Sequence, residues 1–203
     1  YRAQGRGGKG VKAMATREED YVETVFTAST HDNILFFTNL GKVYVRKGYR
    51  IPEAGRAARG QNIVNIIPTD PGEKVSAMIA GRGISEDSYL VFITRDGTVK
   101  RTAQSAFKNI RSNGIRALSL DEGDELITVL QTSGEDKILL ATHDGMAICF
   151  NETDARAMGR DAVGVRGIRL REGDFVVGAG IAAEGSAILS ITENGYGKRT
   201  DVS

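Results

Sequence analysis

The sequence predicts an all-β, blade-like protein built from repeats, and two observations carry this prediction. Four short apolar segments, each followed by Thr-x-x-Gly, recur along the 203 residues. Behind them, a basic segment that contains glycine leads into a strand, an acidic turn and a further strand. A unit of about 50 residues with four short strands has the size of one propeller blade, whose sheet packs on its neighbours.

The first half of each repeat is a predicted β-hairpin. The four copies are ILFFTNLGKVYVR from Ile34, LVFITRDGTVKRT from Leu90, ILLATHDGMAICF from Ile138 and ILSITENGYGKRT from Ile188. Their threonines are 56, 48 and 50 residues apart, and Asp-Gly or Asn-Gly occupies the turn in three copies. These dipeptides favour hairpin turns because both residues tolerate a positive φ. In the first copy an extra residue separates Asn39 from Gly41, which predicts a bulged turn.

The second half of the repeat is ARGQNIVNIIPTDPGEKVSAM, RSNGIRALSLDEGDELITVL and AVGVRGIRLREGDFVVGAG in successive copies. The opening residues GRGGKGVKAMATREEDYVETVF align their glycines, short strand and acidic turn with these blocks. The stretch QGRGGKG, residues 4–10, therefore occupies a repeated position and is not a free linker.

One domain over residues 1–203 accommodates this pattern. Residues 1–33 are the end of a first blade, 34–89, 90–137 and 138–187 are three further repeats, and 188–203 open another. We expect an arc of about four repeats.

Composition excludes several classes of protein. An apolar content of 40% is sufficient for a packed core, and the apolar runs are far shorter than the roughly 18 residues that cross a bilayer. Cys149 is the one cysteine, and its apolar neighbours in MAICF predict a buried, unreactive thiol in a reducing compartment. The net charge of +1 does not indicate a strongly basic protein.

The distribution of charge is more informative than the sum. Cations gather between each hairpin and the following block: Arg46, Lys47, Arg50, Arg56 and Arg59; Lys100, Arg101, Lys108, Arg111 and Arg116; Arg156, Arg160, Arg166 and Arg169; and Lys198 and Arg199. Acids cluster mainly in the turns, as in REED and DEGDE, although Glu152, Asp154 and Asp161 dilute the third group of cations. Equivalent positions of a blade array share one side, so this phasing predicts a basic belt that fits a long polyanion. The alternative is that charged loops only solvate a β fold.

Other site chemistry is not supported by the residues. Gly5 and Gly10 have the spacing of a phosphate-binding loop, but Val11 and Lys12 follow where Ser or Thr is required. His31 and His143 are predicted to sit in equivalent polar turns, THDN and THDG, and indicate no metal site, and DEGDE predicts a solvated turn. No set of nucleophile and base is recognisable.

The chain resembles the C-terminal domain of the DNA gyrase A subunit, a type IIA topoisomerase. That family carries the box Gln-Arg-Arg-Gly-Gly-Lys-Gly, and QGRGGKG matches six of its seven positions, with Gly5 in place of an arginine. THDNILFF, IPEAGRAARGQNIVN, TSGEDKILL, RAMGRDAVGVRGIRLREGD and ENGYGKRT are similar to the blade sequences of the family. The resemblance implies a propeller-like β-pinwheel of four-stranded blades, normally six.

The resemblance also implies a function. In the family, duplex DNA wraps chirally around the basic perimeter, and ATP-driven strand passage introduces negative supercoils. The box residues implied in wrapping are Gln4, Arg6, Gly7, Gly8, Lys9 and Gly10. The fragment is expected to be non-catalytic and without a metal or cofactor, since ATP and Mg²⁺ bind elsewhere in the parent enzyme.

The implied partners are double-stranded DNA, the rest of the gyrase A subunit, and the gyrase B subunit in an A2B2 complex. The implied location is the bacterial cytoplasm at the nucleoid, with no membrane. Two alternatives stay open: the wheel of the A-type subunit of topoisomerase IV, in which the box is degenerate or absent, and a protein-interaction propeller.

Overall fold

The computed structural model describes residues 27–55, 58–81, 87–183, 187–191 and 197–201, with side chains described up to residue 183. The strands are β1 (Asn33–Thr38), β2 (Lys42–Lys47), β3 (Val75–Gly81), β4 (Tyr89–Thr94), β5 (Thr98–Ala103), β6 (Ile115–Arg116), β7 (Leu126–Thr132), β8 (Lys137–Thr142), β9 (Ala147–Asn151), β10 (Val165–Arg166), β11 (Val176–Ala182), β12 (Ala187–Ile191) and β13 (Gly197–Asp201).

The helices in the described ranges are 3₁₀ turns of three or four residues: Gly48–Arg50, Ile63–Asn65, Gln104–Phe107 and Glu152–Asp154. None of them could span a lipid bilayer. The predicted all-β class is confirmed.

The sheets are antiparallel, but a sheet and a repeat do not coincide. The first sheet has the strand order β3-β1-β2-β6 and the second β10-β5-β4-β7. In each, the outer strand comes from the following repeat, because β6 pairs with β2 and β10 pairs with β5. Within the described residues the third sheet is β11-β8-β9 and the fourth is the hairpin β12-β13.

The repeated Thr-x-x-Gly signature forms the hairpin turns. The glycine N–H donates to the threonine carbonyl, at 3.1 Å from Gly97 to Thr94. The Thr94 hydroxyl accepts a second bond from the N–H of Thr98 at 3.0 Å. Only glycine adopts a positive φ among the described residues, +85° at Gly97 and +79° at Gly41. The expectation of positive φ at both turn residues is therefore wrong in the three described turns, and the first copy forms the same turn as the second and third.

Apolar runs, rather than alternating patterns, mark the central strands β1 and β4 because a core packs on each face of the first two sheets. In β4, Leu90 and Phe92 enter the core between the first and second sheets. Val91 and Ile93 enter the core between the second and third sheets. The first of these cores is centred on the rings of Phe37, Phe92 and Phe107, whose centroids lie 5.5–6.1 Å apart.

The strands β6 and β10, which each repeat contributes to the sheet of the preceding repeat, are called the exchanged strands. They are anchored at the hairpin turns of that preceding sheet. The N–H of Ala117 donates to the Gly41 carbonyl at 2.7 Å, and the N–H of Gly167 donates to the Gly97 carbonyl at 2.8 Å. The backbones approach so closely that a Cβ on Gly97 would lie 2.7 Å from Cγ2 of Ile168. These glycines are thus required for contact with the next repeat as well as for the turn.

The first described repeat differs from the other two. Where β6 and β10 form in the later copies, Ile63–Asn65 forms a 3₁₀ turn, and the Asn62 side chain accepts a bond from the N–H of Val64. The short strand predicted after this basic segment is therefore absent among the described residues of this repeat.

A pair of glycine substitutions separates the need for a positive φ in the turn from the need for close contact with the next repeat. Gly145 has φ +83° with no atom near its would-be Cβ, so Gly145→Ala carries the conformational cost alone, about 1–2 kcal/mol. Gly97→Ala adds a collision with the next repeat and is expected to lose about 1–3 kcal/mol more, from overpacking. Urea unfolding of both variants measures the difference, and equal losses would contradict strand exchange at Gly97.

Candidate nucleic-acid interface

The sheets approach one another along one set of edges and diverge along the other. Strand β7 lies against β3 on one side and against β11 on the other. The exchanged strands β6 and β10 occupy the opposite edges of the first two sheets. Arg116 on β6 and Arg166 on β10 are both exposed, so cations lie at the outer edge of the array.

Two connectors bring further cations to this edge. The first connector, residues 104–114, runs from β5 to β6, and the second, residues 152–164, runs from β9 to β10. Each crosses from its own sheet to the outer edge of the preceding one. Lys108, Arg111 and Arg156 are exposed on them, Arg160 is half-buried, and Lys47, Arg50, Arg59 and Arg169 are exposed in flanking segments.

The region after β6 is bonded directly to the second connector. The Ser119 hydroxyl donates to the carbonyl of Asp161 at 2.8 Å, and the Ser119 N–H donates to that of Ala162 at 3.2 Å. The basic segments of neighbouring repeats are therefore contiguous. Charge counting missed Ser119 because its role depends on the backbone of another repeat.

The prediction that Lys100 contacts DNA is wrong. Its side chain is 1% exposed, and its ammonium lies 5.5 Å from the centre of the Phe92 ring. Nζ donates to the carbonyls of Ala117 and Arg160. Burial lowers the pKa of Lys100 to about 8, against the opposing effect of Asp161. This cation stabilises the interior and does not face solvent.

Arg101 is a second correction. Its guanidinium stacks 3.9 Å from the centre of the Tyr89 ring, and Nε lies 3.2 Å from the Glu152 carboxylate. Glu152 is itself buried and accepts bonds from the Thr132 hydroxyl and from the N–H groups of Gly134 and Asp136. Arg101 therefore neutralises a buried acid that orders the loop before β8.

Arg46 also serves the fold. It is half-buried, with Nε donating to the Ile66 carbonyl at 2.9 Å and Nη1 donating to the carbonyls of Val45 and Ser112. Backbone carbonyls thus accept bonds from Nε and Nη1 of Arg46, which holds β2 against these segments, and its predicted contact with DNA stays a prediction.

Several predicted contacts have no described side chain. The box residues Gln4, Arg6, Gly7, Gly8, Lys9 and Gly10, together with Arg56, lie outside the described residues, and Lys198 and Arg199 are described only as backbone of β13.

The acids of the turns before β7 and β11 lie on the side of the sheets that carries the hairpin turns, whereas Glu152, Asp154 and Asp161 lie in the second connector. The Asp124 carboxylate accepts a bond from the N–H of Asp96, and Asp174 accepts one from the N–H of Asp144, both at 3.0 Å. Asp124 is 8% exposed, so the expectation of a solvated DEGDE turn is wrong at this residue. Burial would raise the pKa of Asp174, but the Thr142 hydroxyl and two backbone N–H groups lower it overall.

Two minor predictions are also corrected. Cys149 is exposed, because β9 is the outermost described strand of the third sheet. His31 precedes β1, whereas His143 lies in the turn between β8 and β9 and stacks on Phe175 at 4.8 Å, so the two histidines are not equivalent.

Comparison with known proteins gives a consistent result. A family described as the DNA gyrase C-terminal domain, a beta-propeller, matches residues 1–29, 32–81, 88–133, 136–183 and 187–203. The whole chain is 52% identical to part of the DNA gyrase A subunit of Staphylococcus aureus and spans 23% of that protein.

Solved structures agree. The C-terminal domain of DNA topoisomerase IV superimposes with a TM-score of 0.77 and 31% identity, over 85% of this chain and 54% of that one. A DNA gyrase A C-terminal domain superimposes with a TM-score of 0.74 and 30% identity, over 98% and 64%.

Substitution of two arginines tests the reassignment of Arg101. Arg101→Ala leaves the buried Glu152 carboxylate without its counter-charge and is expected to cost about 3 kcal/mol of unfolding free energy. Arg111→Ala removes an exposed cation from a surface segment and is expected to change it by less than about 0.5 kcal/mol. Chemical denaturation measures both free energies of unfolding. Similar small losses in the two variants would indicate that Arg101 is an ordinary surface cation.

Proposed function

Since the chain belongs to the DNA gyrase C-terminal domain family, we propose that it binds duplex DNA without sequence preference and bends it around its outer edge. The chain spans 23% of the S. aureus gyrase protein that it matches. Strand cleavage, ATP hydrolysis and pairing with the gyrase B subunit are assigned, within this proposal, to other parts of a bacterial cytoplasmic enzyme. The role of this domain is then to hold wrapped DNA during negative supercoiling.

One observation carries the proposal: exposed cations of the exchanged strands and of both connectors lie along the outer edge of the sheets, although the second connector also carries Glu152, Asp154 and Asp161. Arg116 and Arg166 occupy equivalent exchanged strands, and exposed cations of the connectors flank them. Duplex DNA presents one phosphate charge per roughly 1.7 Å of axis, so a series of cations along an edge meets a series of phosphates. Phosphate contacts position DNA without reading its sequence.

The curvature of the array adds bending. Successive sheets converge at β3, β7 and β11, so their outer edges diverge and describe a convex surface. Bending a duplex of 20–30 base pairs costs on the order of 1–6 kcal/mol, which many phosphate contacts together offset. A convex cationic edge therefore favours bent over straight DNA.

The wheel of a topoisomerase IV A-type subunit is the second candidate, supported by the TM-score of 0.77 to such a domain. The nearly intact QGRGGKG box and the 52% identity to a gyrase A subunit favour gyrase. Both candidates share DNA binding and differ in wrapping, so the box is the residue set to test.

Salt dependence tests the binding surface. The affinity for a random-sequence duplex is expected to fall with a log–log slope of about −5 if roughly six phosphates are neutralised. A mobility shift across a salt series measures the slope. A flat response would contradict the basic edge and favour a protein-interaction propeller, whose apolar and acidic positions would form the working face.

Substitution of the box tests wrapping. Arg6→Ala with Lys9→Ala is expected to reduce the linking-number change in closed circular DNA more than it reduces duplex affinity. The matched control, Arg156→Ala with Arg169→Ala, removes two exposed cations outside the box. If both pairs lowered wrapping and affinity equally, the box would be two cations among many. Gly5→Arg restores the cation of the family box and is expected to strengthen wrapping.

A further inference from the structure

We propose that Arg46 and Lys100 are positioning residues that clamp the basic segments of successive repeats together and so set the curvature of the DNA-binding edge. This inference rests on the proposed function, and it assigns the two cations a role other than contact with DNA.

The first clamp is Lys100. Its Nζ donates to the Ala117 carbonyl at 2.8 Å and to the Arg160 carbonyl at 2.6 Å. Ala117 directly follows Arg116 on the exchanged strand β6, and Arg160 lies in the second connector. One ammonium group therefore fixes the end of one basic segment against the middle of the next.

The second clamp is Arg46, one repeat earlier. Its Nε donates to the Ile66 carbonyl at 2.9 Å and its Nη1 to the Ser112 carbonyl, in the first connector, at 3.1 Å. Ile66 and Ala117 both lie six residues before the glycine of their acidic turn, so both clamps bind the same repeated carbonyl. Each also binds the basic segment of the following repeat.

The two clamps have the same orientation, although they are not the same aligned residue. Lys100 aligns with Tyr44, two residues before Arg46, and residues two apart in a strand share one sheet face. In β9 the corresponding positions are Ile148 and Phe150, so among the described sheets the clamp belongs to the first two. Because two different side chains donate to the same repeated carbonyl, we infer that this contact is a recurring feature of the repeat.

The geometry explains why the effect is on DNA shape. The Lys100 ammonium is buried, and the Nε and Nη1 donors of Arg46 are bonded to carbonyls, so these donors add little to attachment. The cations that do reach it, such as Arg116 and Arg111, lie on the clamped segments. Loosening those segments keeps the cations on the surface but lets the distances between them vary. A curved duplex requires fixed distances between cations along its whole length.

Two duplexes separate attachment from bending in the 203-residue chain. One is about one helical turn long, roughly 10 base pairs, which is too short to bend. The other is about 40 base pairs long, well below the DNA persistence length of roughly 150 base pairs, so it is nearly straight when free. A fluorophore at each end reports bending by energy transfer. The variants are Lys100→Met and Arg46→Met.

Two controls match the variants. Lys137→Met removes an exposed lysine at the start of β8, outside the proposed interface. Gly145→Ala destabilises a hairpin turn that contacts neither connector, and so reports what lost stability alone does to bending. All proteins are compared well below the unfolding temperature of the least stable one.

The clamp predicts a split result. Lys100→Met and Arg46→Met keep their affinity for the short duplex within about twofold of Lys137→Met, and keep its salt slope, whereas a lost phosphate contact would reduce that slope by about 1. The bent fraction of the long duplex falls by about threefold or more, as expected when two backbone bonds are lost. Gly145→Ala bends DNA as the unsubstituted chain does.

Three outcomes overturn the clamp: bending equal to that of Lys137→Met, a reduced salt slope on the short duplex, or an equal loss of bending in Gly145→Ala. If Lys100→Met does not fold, the half-exposed Arg46→Met decides alone by the same criteria. If the unsubstituted chain binds neither duplex, the proposed function itself has failed, and this result is distinct from all three.

Discussion

A single backbone contact organises this protein: the carbonyl of a hairpin-turn glycine accepts N–H groups from the repeat that follows. At Gly41 the donors are Ala117 and Leu118, and at Gly97 they are Gly167 and Ile168. The contact requires glycine, because a Cβ at either position would collide with the incoming chain. It also draws each connector across the outer edge of the preceding sheet. The position of the basic residues is therefore a consequence of strand exchange.

Charge in this chain serves two purposes that composition cannot separate. Exposed cations such as Arg116 and Arg166 lie at the outer edge, whereas Lys100, Arg101 and Arg46 bond to groups within the array. Burying a cation is unfavourable unless carbonyls or a carboxylate compensate it. Two carbonyls compensate Lys100, and Glu152 compensates Arg101. The lowered pKa of Lys100 reflects the part of the burial cost that remains.

Periodicity was sufficient to predict the repeats, the hairpins and the all-β class, because sheets covered on both faces require apolar runs at a constant spacing. It could not predict strand exchange, since Ile115–Arg116 reads as a strand whichever hairpin it joins. The burial of Lys100 follows from that exchange and was missed with it. The apolar neighbours of Cys149 predict a buried thiol, but β9 is the outermost described strand of its sheet. The run DEGDE predicts a solvated Asp124, but this carboxylate is buried because it accepts a bond from Asp96 in the turn between β4 and β5.

The offset between repeat and sheet determines where such a chain can be divided. A cut at a repeat boundary leaves the preceding sheet without its outer strand, and an unpaired edge is a site of association with other chains. The smallest unit that completes a four-stranded sheet is thus one repeat with somewhat more than the first half of the next. Stability in such an array depends on its junctions between neighbours. The same glycine carbonyl contact joins both described junctions, whereas the clamping side chain differs between them, so the junctions share their backbone chemistry and not their side chains.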